Sequence, residues 1–182
     1  MSARIDRIVD ALWPPGSADE TSTWAIVDAA RDARVYPELR LSRLDVVSLY
    51  AGKLPDVLQR AAPCLVELAP LYSFTRPYLE MAWGNSWGVF LRLRDARNLR
   101  HHLRRFLRVT DESGRALVFR YYDPRVLRVY LPTCTKEELA TVFGPIRSFL
   151  VESAGGNELL EFEFDGRRLI ERRTEVDAQV TA

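Results

Sequence analysis

Apolar positions along the chain change their spacing several times, and these changes predict alternating helices and strands. Near the N-terminus apolar residues recur every three or four positions, which is typical of an amphipathic helix over residues 3–13, ended by Pro14-Pro15-Gly16. Trp24-Ala25-Ile26-Val27 is a short continuous apolar run, typical of a strand buried on both faces, and it ends at Asp28. The same reasoning predicts strands at 46–50, 64–68, 87–93 and 116–121, a helical turn at 56–61, and helices at 76–83 and 96–107.

Capping signals define the later elements. Asp123-Pro124 is a typical helix start, because Asp accepts free backbone N–H groups and Pro suits the first helical position. Thr135, with Glu138 three residues later, forms a capping box that opens a helix over 136–143. Residues 159–172, with an Asp-Gly turn at their centre, predict a C-terminal β-hairpin.

This order of elements predicts an α/β fold, in which a mixed β-sheet is flanked by helices and followed by a short C-terminal β-hairpin. The chain has 182 residues, of which 47% are hydrophobic, enough for one domain with a substantial core. We expect an N-terminal helix and loop at 1–22, a core domain at 23–146, C-terminal strands packed on the core at 147–175, and a flexible tail at 176–182.

Charge is balanced overall but uneven locally. The net charge is +1, yet the segment from Arg92 to Arg128 contains eleven arginines and four acids. No apolar run approaches the roughly 20 residues of a membrane span, and no apolar signal region precedes the first helix. Cys64 and Cys134 stand apart, as is typical of reduced thiols. We therefore expect a cytoplasmic protein without membrane contact.

Motifs of catalysis are missing from the sequence. It contains no Gly-rich phosphate loop, no His-Glu-x-x-His pair, no Gly-x-Ser-x-Gly turn and no paired-Cys metal site. His101 and His102 are the only histidines, and adjacent helix positions point too far apart to hold one metal. Either one histidine is packed in the core and the other is exposed, or one of them is a catalytic base that is oriented by a partner residue that the sequence does not reveal. We expect no enzyme, no cofactor and no bound metal.

Three groups of residues are candidates for binding a partner. Trp83 and Trp87 flank a tight turn and form either a core corner or an aromatic interface. The arginine-rich helix at 94–108 is either solvated and internally paired, or it faces an acidic protein or a nucleic acid. The segment at 119–125 either braces a corner through Arg–Asp pairs or holds a catalytic Asp. The candidate partner-binding residues are Trp83, Trp87, Arg97, Arg100, His101, Arg104, Arg105, Arg120, Asp123 and Arg125.

Seven short segments carry a resemblance to a known family. They lie in order along about two thirds of the chain, at Trp24–Ala30, Ser48–Gly52, Ala62–Val66, Trp83–Phe90, Leu99–Arg104, Phe119–Leu127 and Phe143–Pro145. Together, in this order and spacing, they resemble the Tap/Tec-type adaptor, or chaperone, family of bacterial type VI secretion.

The resemblance implies a non-enzymatic cytoplasmic adaptor. Such a protein binds a cognate effector and helps to load it onto a VgrG-type or PAAR-type spike component. Similar proteins often continue well beyond this core, whereas 37 residues follow Pro145 here, so effector choice is expected in the C-terminal hairpin or in the core itself. The alternatives are a nucleic-acid-binding module that uses the arginine-rich helix 94–108, and a hydrolase with an unrecognised site.

Overall fold

Helices cover both faces of a large β-sheet in the structure, a computed structural model that describes residues 3–16 and 21–177. The helices are α1 (Ala3–Leu12), α2 (Val35–Leu41), α3 (Asp56–Ala61), α4 (Thr75–Ala82), α5 (Leu99–Arg104), α6 (Pro124–Tyr130) and α7 (Lys136–Phe143), with a 3-10 turn at Leu131–Thr133. The strands are β1 (Ser22–Asp28), β2 (Val46–Ser48), β3 (Pro63–Leu68), β4 (Gly88–Leu93), β5 (Arg108–Thr110), β6 (Ala116–Val118), β7 (Ile146–Glu152), β8 (Glu158–Phe164) and β9 (Leu169–Glu175).

The large sheet has seven strands in the order β2-β3-β1-β4-β7-β8-β9. The expected α/β fold, with flanking helices and a C-terminal hairpin formed by β8 and β9, is confirmed. The described strands of this sheet pair antiparallel throughout, where a mixed sheet was expected. β2 runs in the same direction as β1, and β4 in the same direction as β3, but in each case an antiparallel strand lies between the two, so no parallel pair forms among them. β5 and β6 form a separate two-stranded antiparallel sheet.

Alternating side chains divide the core into two layers. In β1, Ala25 and Val27 pack in one layer and Ile26 packs in the other, which confirms a strand buried on both faces. Helices α1, α2 and α4 cover the first face, and α5, α6 and α7 cover the second. Burying each large aliphatic side chain stabilises the fold by about 1.5–3 kcal/mol, so these two layers supply the main folding energy.

Two predicted helix starts are confirmed. The Asp123 carboxylate accepts a hydrogen bond from the Arg125 N–H at 3.0 Å, and Pro124 occupies the first turn of α6. Thr135 and Glu138 cap each other's backbone N–H groups at the start of α7, which spans the predicted range. These bonds satisfy donors that a helix leaves free at its beginning.

The arginine-rich segment is not one long helix, contrary to the prediction. Its helical part is the six-residue α5, and the chain then turns so that Arg108 lies in β5. Before this helix, the Asp95 carboxylate accepts the Arg97 N–H at 3.0 Å in a turn. The arginines therefore do not form one continuous basic helix face.

Three further differences concern single elements. Helix α2 was not predicted because Pro37 resembles a helix breaker, yet it lies in the first turn, where a missing N–H costs no helical bond. β7 was not predicted as a separate strand, since its apolar run at 149–151 fits either type of element. The predicted strand at 116–121 ends at Val118, and residues 120–123 form a turn instead.

The described C-terminal residues are held by the fold. Val176 is buried in the core, and Asp177 pairs with Arg4 at 2.7 Å. The flexible tail predicted at 176–182 therefore begins with two anchored residues. Its remainder, 178–182, lies outside the described residues, as do 17–20 of the predicted N-terminal loop.

Candidate partner-binding groove

The two tryptophans around the predicted turn belong to the core. Trp83 and Trp87 are buried, and the indole N–H of Trp83 donates to the Gly156 carbonyl at 2.6 Å. The buried Glu152 carboxylate accepts the Ser86 N–H of the same turn at 2.9 Å. Because both rings are covered by the chain itself, the structure favours the core interpretation and corrects the assignment of these two residues to partner binding.

Two Arg–Asp pairs brace the segment at 120–125. Arg125 contacts Asp123 at 2.6 Å, whereas Arg120 pairs with Asp28, the buried last residue of β1. The Arg120 guanidinium also lies 6.0 Å from the centre of the Tyr122 ring. Burial disfavours the charged form of Asp123, but the hydrogen bonds and charge of Arg125 outweigh it and lower the pKa of Asp123. These contacts favour the bracing interpretation of Arg120, Asp123 and Arg125.

The two histidines occupy different environments. His102 is buried, its Nε2–H donates to the Val142 carbonyl at 2.8 Å, and its ring packs edge-on against Phe106. Gly144, at a φ of 45°, lies directly against this ring, so a side chain there would collide with it. Burial lowers the pKa of His102. His101 is exposed, in agreement with the interpretation of one packed and one exposed side chain.

Arginines between 92 and 128 fall into paired and unpaired groups. Those that pair with a carboxylate are Arg92, Arg97, Arg115, Arg120 and Arg125. Arg100 and Arg128 donate to the backbone carbonyls of Ser48 and Glu152. Within the described part of the chain, the arginines without an ion pair are Arg94, Arg104, Arg105 and Arg108, along with the backbone-bonded Arg100 and Arg128. The exposed Arg104, Arg105 and Arg108 are therefore available to an anionic partner.

Two of these available arginines line an open groove of about 570 Å³. The groove lies between the segment from β2 to α3 and the segment from α5 to the small sheet. The residues that line it are Leu49, Tyr50, Ala51, Leu54, Leu58, Arg104, Leu107, Arg108 and Val118. Leu58 and Val118 remain 49% and 59% exposed, so the groove presents apolar surface to solvent beside positive charge.

Helix α3 forms one wall of the groove and buries none of its residues. Leu58 lines the groove, while Val57, its neighbour, is 78% exposed. Contiguous exposed apolar side chains are typical of interaction sites, and interface surfaces are enriched in Arg. This combination makes the groove the best candidate for a partner-binding site among the described residues.

Sequence reasoning found the basic side of the groove and missed the apolar side. Of the predicted arginines, Arg104 lines the groove, and Arg105 follows it in sequence without lining the groove. Arg100 is bonded to the Ser48 carbonyl, and Arg97 pairs with Asp95. Leu54 and Leu58 gave no signal, because a single Leu in a loop or in a short helical turn does not reveal by itself whether it is exposed. The fold alone brings them opposite Arg104.

A family model described as a domain of unknown function, DUF4123, matches residues 23–141, about two thirds of the chain. That family is associated with adaptors for type VI secretion effectors. No curated protein and no solved structure matches the chain. Over the residues that the structure describes, none of the helices combines the length and the apolar character needed to cross a membrane.

Proposed function

We propose, because the chain belongs to the DUF4123 family, that it is a non-enzymatic cytoplasmic adaptor for type VI secretion. It binds a cognate effector protein and helps to load it onto a VgrG-type or PAAR-type spike component. The family match over residues 23–141 carries this proposal. The groove supports it, since exposed apolar side chains flanked by available arginines suit a protein partner.

An adaptor acts through surfaces and needs no reacting groups. Covering an apolar effector segment in the groove removes it from water, and binding then stabilises the bound form by mass action. The positive rim around Arg104 and Arg108 accelerates association with an acidic partner more than it adds to affinity.

A second partner requires a second surface, and the opposite face of the sheet offers one. Leu41, at the end of α2, lines a cavity of about 340 Å³ together with Phe74 and Pro77. In the loop before α4, Leu71 is 95% exposed. The other residues that line this cavity are the polar or charged Glu38, Ser42, Arg43 and Ser73. The second surface is therefore of mixed character, and it is separate from the groove, as the simultaneous binding of effector and spike requires.

Co-purification tests the proposal. The tagged full chain is expressed together with the effector and spike proteins encoded beside it, and secretion of the effector is measured with and without the gene. We expect the effector to co-purify and its secretion to fall on deletion. If neither protein associates and secretion is unchanged, the adaptor function is wrong.

Nucleic-acid binding is the second candidate, favoured by the available Arg104, Arg105 and Arg108. Single-stranded nucleic acids are bound by stacking bases on several aromatic rings, whereas the groove lining contains one, Tyr50. We expect no binding of labelled DNA or RNA at low salt. Tight binding that weakens steeply as salt increases would favour this alternative.

A further inference from the structure

We infer that the groove binds an acidic, apolar segment of the partner protein, whose apolar side chains enter the groove while its carboxylates pair with Arg104 and Arg108. This inference rests on the proposed adaptor function and adds the chemistry by which the adaptor selects its partner. It also assigns the selection to the core domain rather than to the C-terminal hairpin.

The apolar requirement follows from the lining of the groove. Apart from Arg104 and Arg108, all its lining residues are Leu, Val, Ala or Tyr. The half-exposed Leu58 and Val118 lose contact with water only if a partner covers them. A volume of about 570 Å³ accepts a few side chains and not a whole folded element, which indicates a short segment as the occupant.

The acidic requirement follows from the arginines. No carboxylate is among the residues that line the groove, and none pairs with Arg104 or Arg108 within the described chain. A neutral partner would draw these guanidinium groups partly out of water without offering acceptors, which is unfavourable. Carboxylates match the fork of an arginine with two parallel hydrogen bonds, so an acidic segment satisfies both halves of the site.

Arg97 and Arg115 sharpen this argument by contrast. They belong to the same basic stretch, but their guanidinium groups are engaged by Asp95 at 2.6 Å and Asp111 at 2.9 Å. Neither arginine lines the groove. Within this stretch, the arginines that line the apolar surface are ones that the chain leaves without an internal carboxylate.

Display of random twelve-residue peptides tests the chemistry without assuming any partner. The purified full chain is used as bait beside a groove variant, Leu58→Glu with Arg104→Glu. We expect wild-type bait to enrich peptides that combine Asp or Glu with Leu, Ile or Phe. Labelled copies of these peptides should bind the groove variant at least about tenfold more weakly, the effect expected at a central interface position.

Matched controls and single variants separate the two halves of the site. Val129→Glu and Arg94→Glu alter an exposed Val and an exposed Arg that do not line the groove and should leave peptide binding unchanged. Arg104→Glu should weaken binding less as salt is raised, whereas the effect of Leu58→Ser should persist, because salt screens only the charge interaction. Val118→Ser provides a second apolar variant, and circular dichroism verifies the fold of each protein.

Several results would overturn the inference. They are an absence of enriched sequences, enrichment of neutral or basic peptides, equal binding to the groove variant and wild type, or selective competition by oligonucleotides instead of peptides. Effector co-purification with the same variants distinguishes this inference from the proposed function. If only the wild type captures the effector, the result supports effector binding in the groove. If the groove variant captures the effector equally well, the groove is not the binding site, but the adaptor function stands. If neither protein captures the effector, the adaptor function is wrong, and the peptide selection alone decides whether the groove binds acidic, apolar segments.

Discussion

The tryptophan corner and the groove show opposite relations between residue type and exposure. Trp83 and Trp87 have the side chains most often found at the centre of interfaces, but the chain buries both. Leu58 and Val118 are ordinary core-type residues, but the chain leaves them about half exposed. A binding surface is therefore identified by what the fold leaves uncovered and not by which residues are large or aromatic.

The same contrast holds for charge. Arg120 and Arg125 are engaged by carboxylates of their own chain, whereas Arg104 and Arg108 meet only apolar neighbours across the groove. Internal pairing fixes local geometry, while an unpaired guanidinium at an apolar edge is suited to an external anion. Four predictions test this division, and their expected effects on stability decrease in the order given.

Trp83→Ala should destabilise the protein most. It removes a buried ring packed against Phe90 and leaves the Gly156 carbonyl without its indole donor, a loss of about 3–5 kcal/mol. Urea denaturation of the variant and wild type gives the difference in the free energy of unfolding. If the free energy of unfolding does not fall, the tryptophan corner is not part of the core, and the contrast between the corner and the groove is wrong.

Asp28→Ala should have a smaller effect. It leaves Arg120 without its carboxylate, but the Arg120 side chain is 41% exposed and regains water, so we expect a loss of about 1–3 kcal/mol. Asp95→Ala, which removes the exposed partner of Arg97, is the control and should leave the unfolding midpoint unchanged. Equal midpoints for both variants would mean that the buried pair is no more important than a surface pair.

His102 should make stability depend on pH. Its pKa lies below the ordinary value of 6.5 in the folded protein, so below about pH 6.5 the unfolded chain binds a proton that the folded chain does not. Stability should therefore fall as pH decreases from that value towards the lower pKa of the folded state.

His102→Gln keeps an N–H donor but cannot titrate, so it should lose less stability than wild type between about pH 7.5 and 5.5. Thermal unfolding at the two pH values measures the difference. The exposed His101 supplies the control, and His101→Gln should retain the wild-type slope. Parallel slopes for wild type and His102→Gln would exclude this role.

Groove substitutions should have the smallest effect on stability. Leu58→Ser and Arg104→Ala change exposed side chains, so we expect the free energy of unfolding to change by less than about 0.5 kcal/mol. Urea denaturation checks this alongside the Trp83 variant. A large loss would mean that the groove residues support the fold, which would remove the contrast with the corner.

Local signals made the termini of several elements predictable. Asp123 and Thr135 mark helix starts because their side chains accept N–H groups from two or three residues further along, an interaction that depends on nearby residues alone. The alternation in β1 likewise follows from burial on both faces. Such features need no knowledge of the rest of the chain.

Long-range contacts account for what the sequence left undecided. Arg120 pairs with Asp28, which lies 92 positions away in the sequence. The sequence alone would equally allow Arg120 to pair with the nearby Asp123. The groove depends on the approach of α3 to β6, which no local pattern encodes. Arg104 was found because charge clusters are visible in a sequence, and Leu58 was missed because solvent exposure is not.

The unburied helix α3 also suggests how occupancy could be observed. Six residues, none of them buried, form a marginal helix, so its backbone amides should exchange rapidly with deuterium in the free protein. An occupant that covers Leu58 would hold this wall in place and slow the exchange, while amides in β1, at the centre of the sheet, would keep the same rate. The wall of the groove would thus serve as a built-in reporter of cargo, readable by hydrogen–deuterium exchange and mass spectrometry without an attached probe.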